Sequence, residues 1–312
     1  MSGKRVKRNE TVLPLVAWQE IGQFAIRSLR DWHTLQRVNQ TIKSAMRHPR
    51  VLSCYAFTLP DPSYTAKLGA MCAQIRQLRF NNCERTPFEP WEALPSLRDM
   101  AAMPKLEFLD LSGCNITGIT QTAPLPSLKT LFLRDCDALD VSGLLTWPAL
   151  TDITMTSCIT NSTTMHTLAQ LPNLECLSVC DTTCLWVGFH KFVNLTRLNL
   201  SGCAAHDLNM LQISNLVQLQ SLSLANCDQL ESVASLEKLV GLVDLDLSNT
   251  DMMDIGPVSN LVNLEVLCLD RCRWLTSVAP LSQLGKLKTL YMSHCPRVRD
   301  IWTVLHVRRL FR

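Results

Sequence analysis

The chain lacks the features that would place it in a membrane or a secretory route. No apolar run in its 312 residues approaches the ~20 that a membrane span requires. The opening Met1-Ser2-Gly3-Lys4-Arg5-Val6-Lys7-Arg8 does not lead into an apolar segment with a small-residue cleavage site. An intracellular protein, cytoplasmic or nuclear, is the expectation. Enzyme signatures are missing as well: there is no phosphate-binding Gly-rich loop, no His-Glu-x-x-His and no Gly-x-Ser-x-Gly. A phosphate footprint is absent too. The first fifty residues hold ten Lys or Arg against Glu10, Glu20 and Asp31, a balance of +7, so residues 51–312 carry −4 of the stated +3. The last sixteen residues hold five Arg and one Asp, which leaves 51–296 at −8, the wrong sign for nucleic acid.

What the chain does have is a phrase, Leu-x-x-Leu-x-Leu-x-x-Cys, recurring every 21 to 24 residues. It reads Leu106, Leu109, Leu111, Cys114, and restarts at Leu128, Leu150, Leu174, Leu195, Leu219, Leu242, Leu264 and Leu287. A further copy lies upstream as Ile75, Leu78, Phe80, Cys83. Each copy is one coil of a spring that cannot bury its apolar face alone, so the coils must stack. The second and third leucines alternate with polar residues, which is strand periodicity. Ahead of each strand runs an apolar series at three-residue steps, such as Leu236-Leu239-Leu242 and Leu281-Leu284-Leu287, which suits short 3₁₀-like segments.

Fourteen cysteines raise the question of disulfides or metal. Cys83, Cys114, Cys136, Cys158, Cys203, Cys227, Cys272 and Cys295 all take the ninth position of the phrase, which points inward and suits a reduced thiol behaving as a small hydrophobe. Coils about 4.8 Å apart would hold these side chains parallel, which opposes bridging. Thr182 and Thr250 fill the same position in two copies, as a hydrogen-bonding slot allows and a metal set does not. Cys176 and Cys180, four residues apart on a strand, would lie about 13 Å apart, too far to share a zinc. No metal and no cofactor are expected.

The phrase resembles the short, 22-residue class of leucine-rich repeats, with Cys where many members carry Asn, over roughly residues 68–312. Cys-rich short repeats of this kind are similar to those of protozoan families. The resemblance implies an α/β repeat fold, a solenoid whose parallel β-sheet forms a horseshoe. Outward strand residues follow each first leucine by two, four, six and seven. Phe108 and Phe132 would then anchor a protein partner near one end of the concave face, beside Asp110 and Arg134. Asp244, Asp246 and Asp270 would form an acidic patch toward the other end, with Arg271 at its edge and Tyr291 beyond, suited to a Lys- or Arg-bearing loop. His294, the best placed of seven His, would have Asp270 and Arg271 as neighbours one coil earlier. A solvated polar face is the plain alternative for each of these residues.

Residues 1–10 read as a basic flexible leader and 11–52 as a helical module. The stretch Leu13-Pro14, Ile21, Asp31-Trp32, Leu35, Val38-Asn39, Ile42, Ala45, Pro49-Arg50 resembles an F-box. The acidic residue usual after Leu-Pro is absent, Ile42 stands at the usual Trp, and about two extra residues separate the first two helices. The resemblance implies docking on the linker subunit of a cullin-RING ubiquitin ligase, with Leu13 and Pro14 in the linker's groove and Ile21, Leu35 and Val38 supporting the apolar face. The repeats would then hold the ligase substrate. The alternative is that these helices only cap the first coil, in a scaffold or regulatory subunit like the phosphatase-1 regulators with similarly short repeats.

Residues 53–67 read as a linker or a degenerate first coil starting near Val51. Between Ile75 and Leu106 the excess Pro87-Phe88-Glu89-Pro90-Trp91 is a binding-face loop or a packing loop. Residues 68–296 form the repeats, and 297–312 an incomplete terminal repeat or cap. There Leu310, 23 residues after Leu287, is expected to open an eleventh strand. Its open edge would take a contact with a partner or a second copy.

Overall fold

The computed structural model describes residues 56–59, 76–80, 103–112, 118–120, 122–135, 140–158, 162–182, 189–203 and 212–312. Leu13, Pro14, Ile21, Leu35 and Val38, the rest of segment 11–52, the loop around Trp91, and Cys83, Cys114 and Cys136 lie outside the described residues.

One strand per coil assembles a single parallel sheet of twelve strands in sequence order. They are β1 (Ala56–Leu59), β2 (Gln77–Phe80), β3 (Phe108–Asp110), β4 (Thr130–Arg134), β5 (Asp152–Thr156) and β6 (Cys176–Cys180). The second half is β7 (Arg197–Asn199), β8 (Ser221–Ser223), β9 (Asp244–Asp246), β10 (Val266–Cys268), β11 (Thr289–Tyr291) and β12 (Arg309–Phe311). The pairing keeps the phrase in register, with Leu222, Leu245, Leu267 and Leu290 directly opposite one another from β8 to β11. All four leucines are buried in one continuous core that runs along the stack.

Strand β1 falls in the segment read as a linker or a degenerate first coil, and its Phe57 lies opposite Leu78 of β2. The last coil needs a correction. Leu290 pairs with Leu310, so Leu310 is the fourth residue of the phrase and Val307 the first. The Val307 N–H donates to Val304 O at 3.1 Å as the Leu287 N–H donates to Leu284 O at 3.0 Å. Val307 is buried while Leu310 is only partly so. The final coil is therefore short, and the twelfth strand is formed rather than about to begin.

The three-residue apolar steps do make 3₁₀ segments, as at Ala234–Lys238, Gly256–Asn260 and Ala279–Gln283. Among the described segments one differs: between β5 and β6, Ser162–Leu168 is α-helical.

The residue before the ninth position is left-handed in coil after coil: Asp135, Ser157, Asp181, Gly202, Asn226, Asn249, Arg271 and His294 all have positive φ. This conformation turns the N–H across to the next coil, as in Asn226 N–H to Ser248 O at 2.8 Å and Arg271 N–H to Ser293 O at 2.7 Å. Most of these positions carry Asp, Asn or Gly, which visit the region most readily. At Gly202 a Cβ would also run into the Asp181 carboxylate.

The ninth-position thiols lie where the repeat predicts. Cys158, Cys203, Cys227 and Cys272 are buried, and Cys295 partly so. Each donates to a main-chain carbonyl of the preceding coil: Cys203 to Val179 O at 3.0 Å, Cys227 to Leu200 O at 3.3 Å, Cys272 to Leu247 O at 3.2 Å and Cys295 to Leu269 O at 3.0 Å. Thr250 in the same slot bonds Leu247 O of its own coil at 2.8 Å. Burial is the main reason the Cys227 and Cys272 thiols are pushed up to about 11. All eight described cysteines are unbridged.

Candidate interaction face

The sheet's outward face carries the second, fourth and sixth residues after each first leucine, and at both ends the structure groups side chains there. Phe108 on β3 and Phe132 on β4 are half-buried, with ring centroids 5.2 Å apart and planes tilted by 37°. They form one aromatic step on neighbouring coils, with exposed Arg134 beside Asp135 at 3.6 Å.

Five strand intervals of about 4.8 Å, roughly 24 Å, separate β4 from the acidic end on β9. The expected residues therefore make two clusters. Asp244 is exposed, and both its partial burial and repulsion from Asp246 raise its pKa. Asp246 is less free than its position implies. Its Oδ1 accepts the Ser248 N–H at 2.9 Å and also the Ser248 hydroxyl. Asp110 does the same for the Ser112 N–H at 3.0 Å. Asp270 reaches across coils to the Ser293 N–H at 2.6 Å. These three carboxylates hold the chain where it leaves the strand. Tyr291 is half-buried and stacks on Phe311 of β12 at 4.7 Å and 9°, a contact the sequence reading missed because it misplaced the last strand.

Between the clusters the face is small and polar. The Ser201 hydroxyl lies 2.8 Å from that of Ser223, and Arg197 donates to the Cys176 thiol at 2.9 Å and pairs with Asp152 at 3.4 Å. The Cys176 thiol is nonetheless raised, by burial first and then by its hydrogen bond with Asp152, against the pull of Arg197. Burial also raises Cys268. At Cys176 burial and Asp152 outweigh Arg197, so neither thiol is lowered as a nucleophilic cysteine's is. Among the described residues, no three His, Cys, Asp or Glu are grouped to hold a metal, and no helix is long and apolar enough to cross a membrane.

Arg271 and His294, which follow β10 and β11, lie at a cleft of about 570 Å³. Its other lining residues, Arg273, Trp274, Pro296 and Arg297, were not singled out from the sequence. The signal was there: the residue after the ninth position is Asp228 or Asp251 in the two preceding coils and Arg273 in this one.

A leucine-rich-repeat family model matches residues 105–124. Over 175 residues, 54% of this chain, the sequence is 27% identical to a Trypanosoma equiperdum protein provisionally named an adenylate cyclase regulatory protein. The match spans only 27% of that relative's length. Among solved structures, an internalin of Listeria monocytogenes aligns with a TM-score of 0.56 at 17% identity, over 76% of this chain and 65% of the internalin. A leucine-rich-repeat protein of Leptospira interrogans gives 0.55 at 16%, over 81% and 69%. Such identities speak to fold, and the fold is a leucine-rich-repeat solenoid.

Proposed function

We propose that this leucine-rich-repeat solenoid is a non-catalytic interaction protein, a scaffold or regulatory subunit whose concave sheet face holds a protein partner. The Phe108–Phe132 step carries the reading: two large rings sit in contact and half-accessible on the outward face. Aromatic side chains supply most of the energy at protein interfaces, and a core-directed strand residue would not be placed there. The second cluster, with Asp244 exposed and Tyr291 beyond it, favours a partner bearing Lys or Arg about 24 Å from its apolar anchor. The polar groups between the two are bonded to one another or to the main chain, and the raised Cys176 and Cys268 thiols do not suit a nucleophile's role. The Trypanosoma relative's provisional name favours regulation of another enzyme over catalysis by the chain itself. We place the protein in the cytoplasm or nucleus.

A second reading keeps the ligase. The spacing of Leu13-Pro14, Ile21, Leu35 and Val38 supports a substrate-recognition subunit that docks a linker and cullin through the N-terminal segment while the same face holds the ligase substrate.

Affinity purification with mass spectrometry from the native cell separates the two. Co-purified linker and cullin support the ligase reading; a signalling enzyme without them supports the regulatory one. In either case Phe108→Ala with Phe132→Ala should abolish capture of the main partner while the thermal melt changes little. Undiminished capture by that double variant would move the binding site off the concave face.

A further inference from the structure

We propose that the cleft lined by Arg271, Arg273, Trp274, His294 and Arg297 binds an acidic segment of a protein partner, one bearing carboxylate or phosphate side chains. The proposal rests on the protein-interaction reading above and concerns a different surface.

Three observations carry it. The first is charge. Residues 271–312 hold nine Lys or Arg against one acid, Asp300, a balance of +8. Residues 151–270 hold thirteen acids against Lys191, Arg197 and Lys238, a balance of −10. The sign thus reverses within one coil, and the cleft lies on the positive side of the boundary.

The second is that these cations are unspent. Arg271, Arg273 and Arg297 are exposed, and among the described residues none of them joins an ion pair. Asp270, the acid next to Arg271, commits its Oδ1 to the Ser293 N–H. An arginine fork without a carboxylate partner is free to take a carboxylate or phosphate in two parallel hydrogen bonds.

The third is preorganisation. The Arg297 guanidinium lies 4.2 Å from the ring centroid of Trp274, stacked where it keeps its charge but loses rotamer freedom. Arg271 and His294 occupy the left-handed position on successive coils, so both leave the main chain from the same turn, one coil apart. At the same position in the other described coils the left-handed residue is Asp, Asn, Ser or Gly. Bulky side chains in that conformation cost more than Asn or Gly would. A cleft of about 570 Å³, open on one side, accommodates a few residues of an extended peptide.

The test uses the full chain and fluorescein-labelled octaglutamate, with the same peptide carrying two phosphoserines as a second arm, read by fluorescence anisotropy. Arg273→Glu with Arg297→Glu should weaken binding at least tenfold, while Arg308→Glu with Arg312→Glu, the same charge change outside the cleft, should weaken it less than twofold. Should the cleft pair lose its cooperative melt, Arg271→Asn decides on the same criterion, because Asn tolerates the left-handed backbone. Equal weakening by both pairs would reduce the site to diffuse charge and overturn the proposal. Binding of phosphatidylserine vesicles without either peptide would overturn the assignment to a protein partner, as would self-association of the wild type by light scattering in place of peptide binding. Asp244→Lys, on the concave face, should leave peptide binding intact even where it lowers partner capture, so failure of the concave-face reading stays distinct from failure of this one.

Discussion

Alkylation of the thiol ladder tests the stacking directly. At pH 8 a thiol with the ordinary pKa of 9.0 is ionised to about one part in ten; Cys227 and Cys272, pushed up to about 11, are ionised to about one part in a thousand. The thiolate is the reacting species, so ionisation alone slows both about a hundredfold. Enclosure slows them further, since each sulfur is buried and donates to the coil before it, and a bulky maleimide can reach it only after a local opening. The folded protein would be treated with such a maleimide, quenched at intervals and mapped by peptide mass spectrometry against a denatured control. Cys180 and Cys268, half-buried on the concave face, should be labelled first, and Cys227 and Cys272 last. Each unit of pH between 7 and 9 should speed the two slow sites about tenfold. Modification of Cys227 or Cys272 in folded protein within tenfold of its denatured rate would show that the ladder does not face inward.

Three other outcomes follow from the same geometry. Leu245→Ala, in the fully buried centre of β9, should cost about 2–5 kcal/mol by chemical denaturation; a cost below 1 kcal/mol would mean that the coils are loosely packed. Partial burial opposes ionisation of Asp300, but hydrogen bonds from the Ser277 hydroxyl and the Val278 and Ala279 N–H groups hold its carboxyl below the usual value. Its stabilising contribution is therefore present above the unfolded pKa and lost as pH falls through the folded one, so wild type should melt above Asp300→Asn at pH 7 and the gap should close near pH 3. Replacing Leu13 and Pro14 by Ala should remove co-purifying linker and cullin under the ligase reading while circular dichroism of the repeats stays unchanged; a wild-type chain that recovers no linker refutes that reading.

The stack was legible because each coil repeats the same constraint. A leucine at a given place in the phrase must face the core, and errors of register are corrected by the next copy. That redundancy fails at the last coil. The three-residue series Val304-Val307-Leu310 fits either Val307 or Leu310 as the first position, and only pairing with β11 decides for Val307. The outward face of the sheet was legible in its positions and less so in its chemistry. Pattern alone places Asp110 and Asp246 outward, but their hydrogen bonds to main-chain groups two residues on depend on how the strand ends, which a count of residues does not describe. The cleft escaped notice because its arginines come from two coils and gain meaning only when those coils stack.

The thiol ladder also has a direction. Cys203, Cys227, Cys272 and Cys295 each reach back to a carbonyl made earlier in the chain. A ribosome delivers the acceptor about two dozen residues before the donor, so each coil emerges onto a surface already waiting for it. Growth of such a stack can keep pace with synthesis, one coil at a time, and the order of translation becomes the order of assembly.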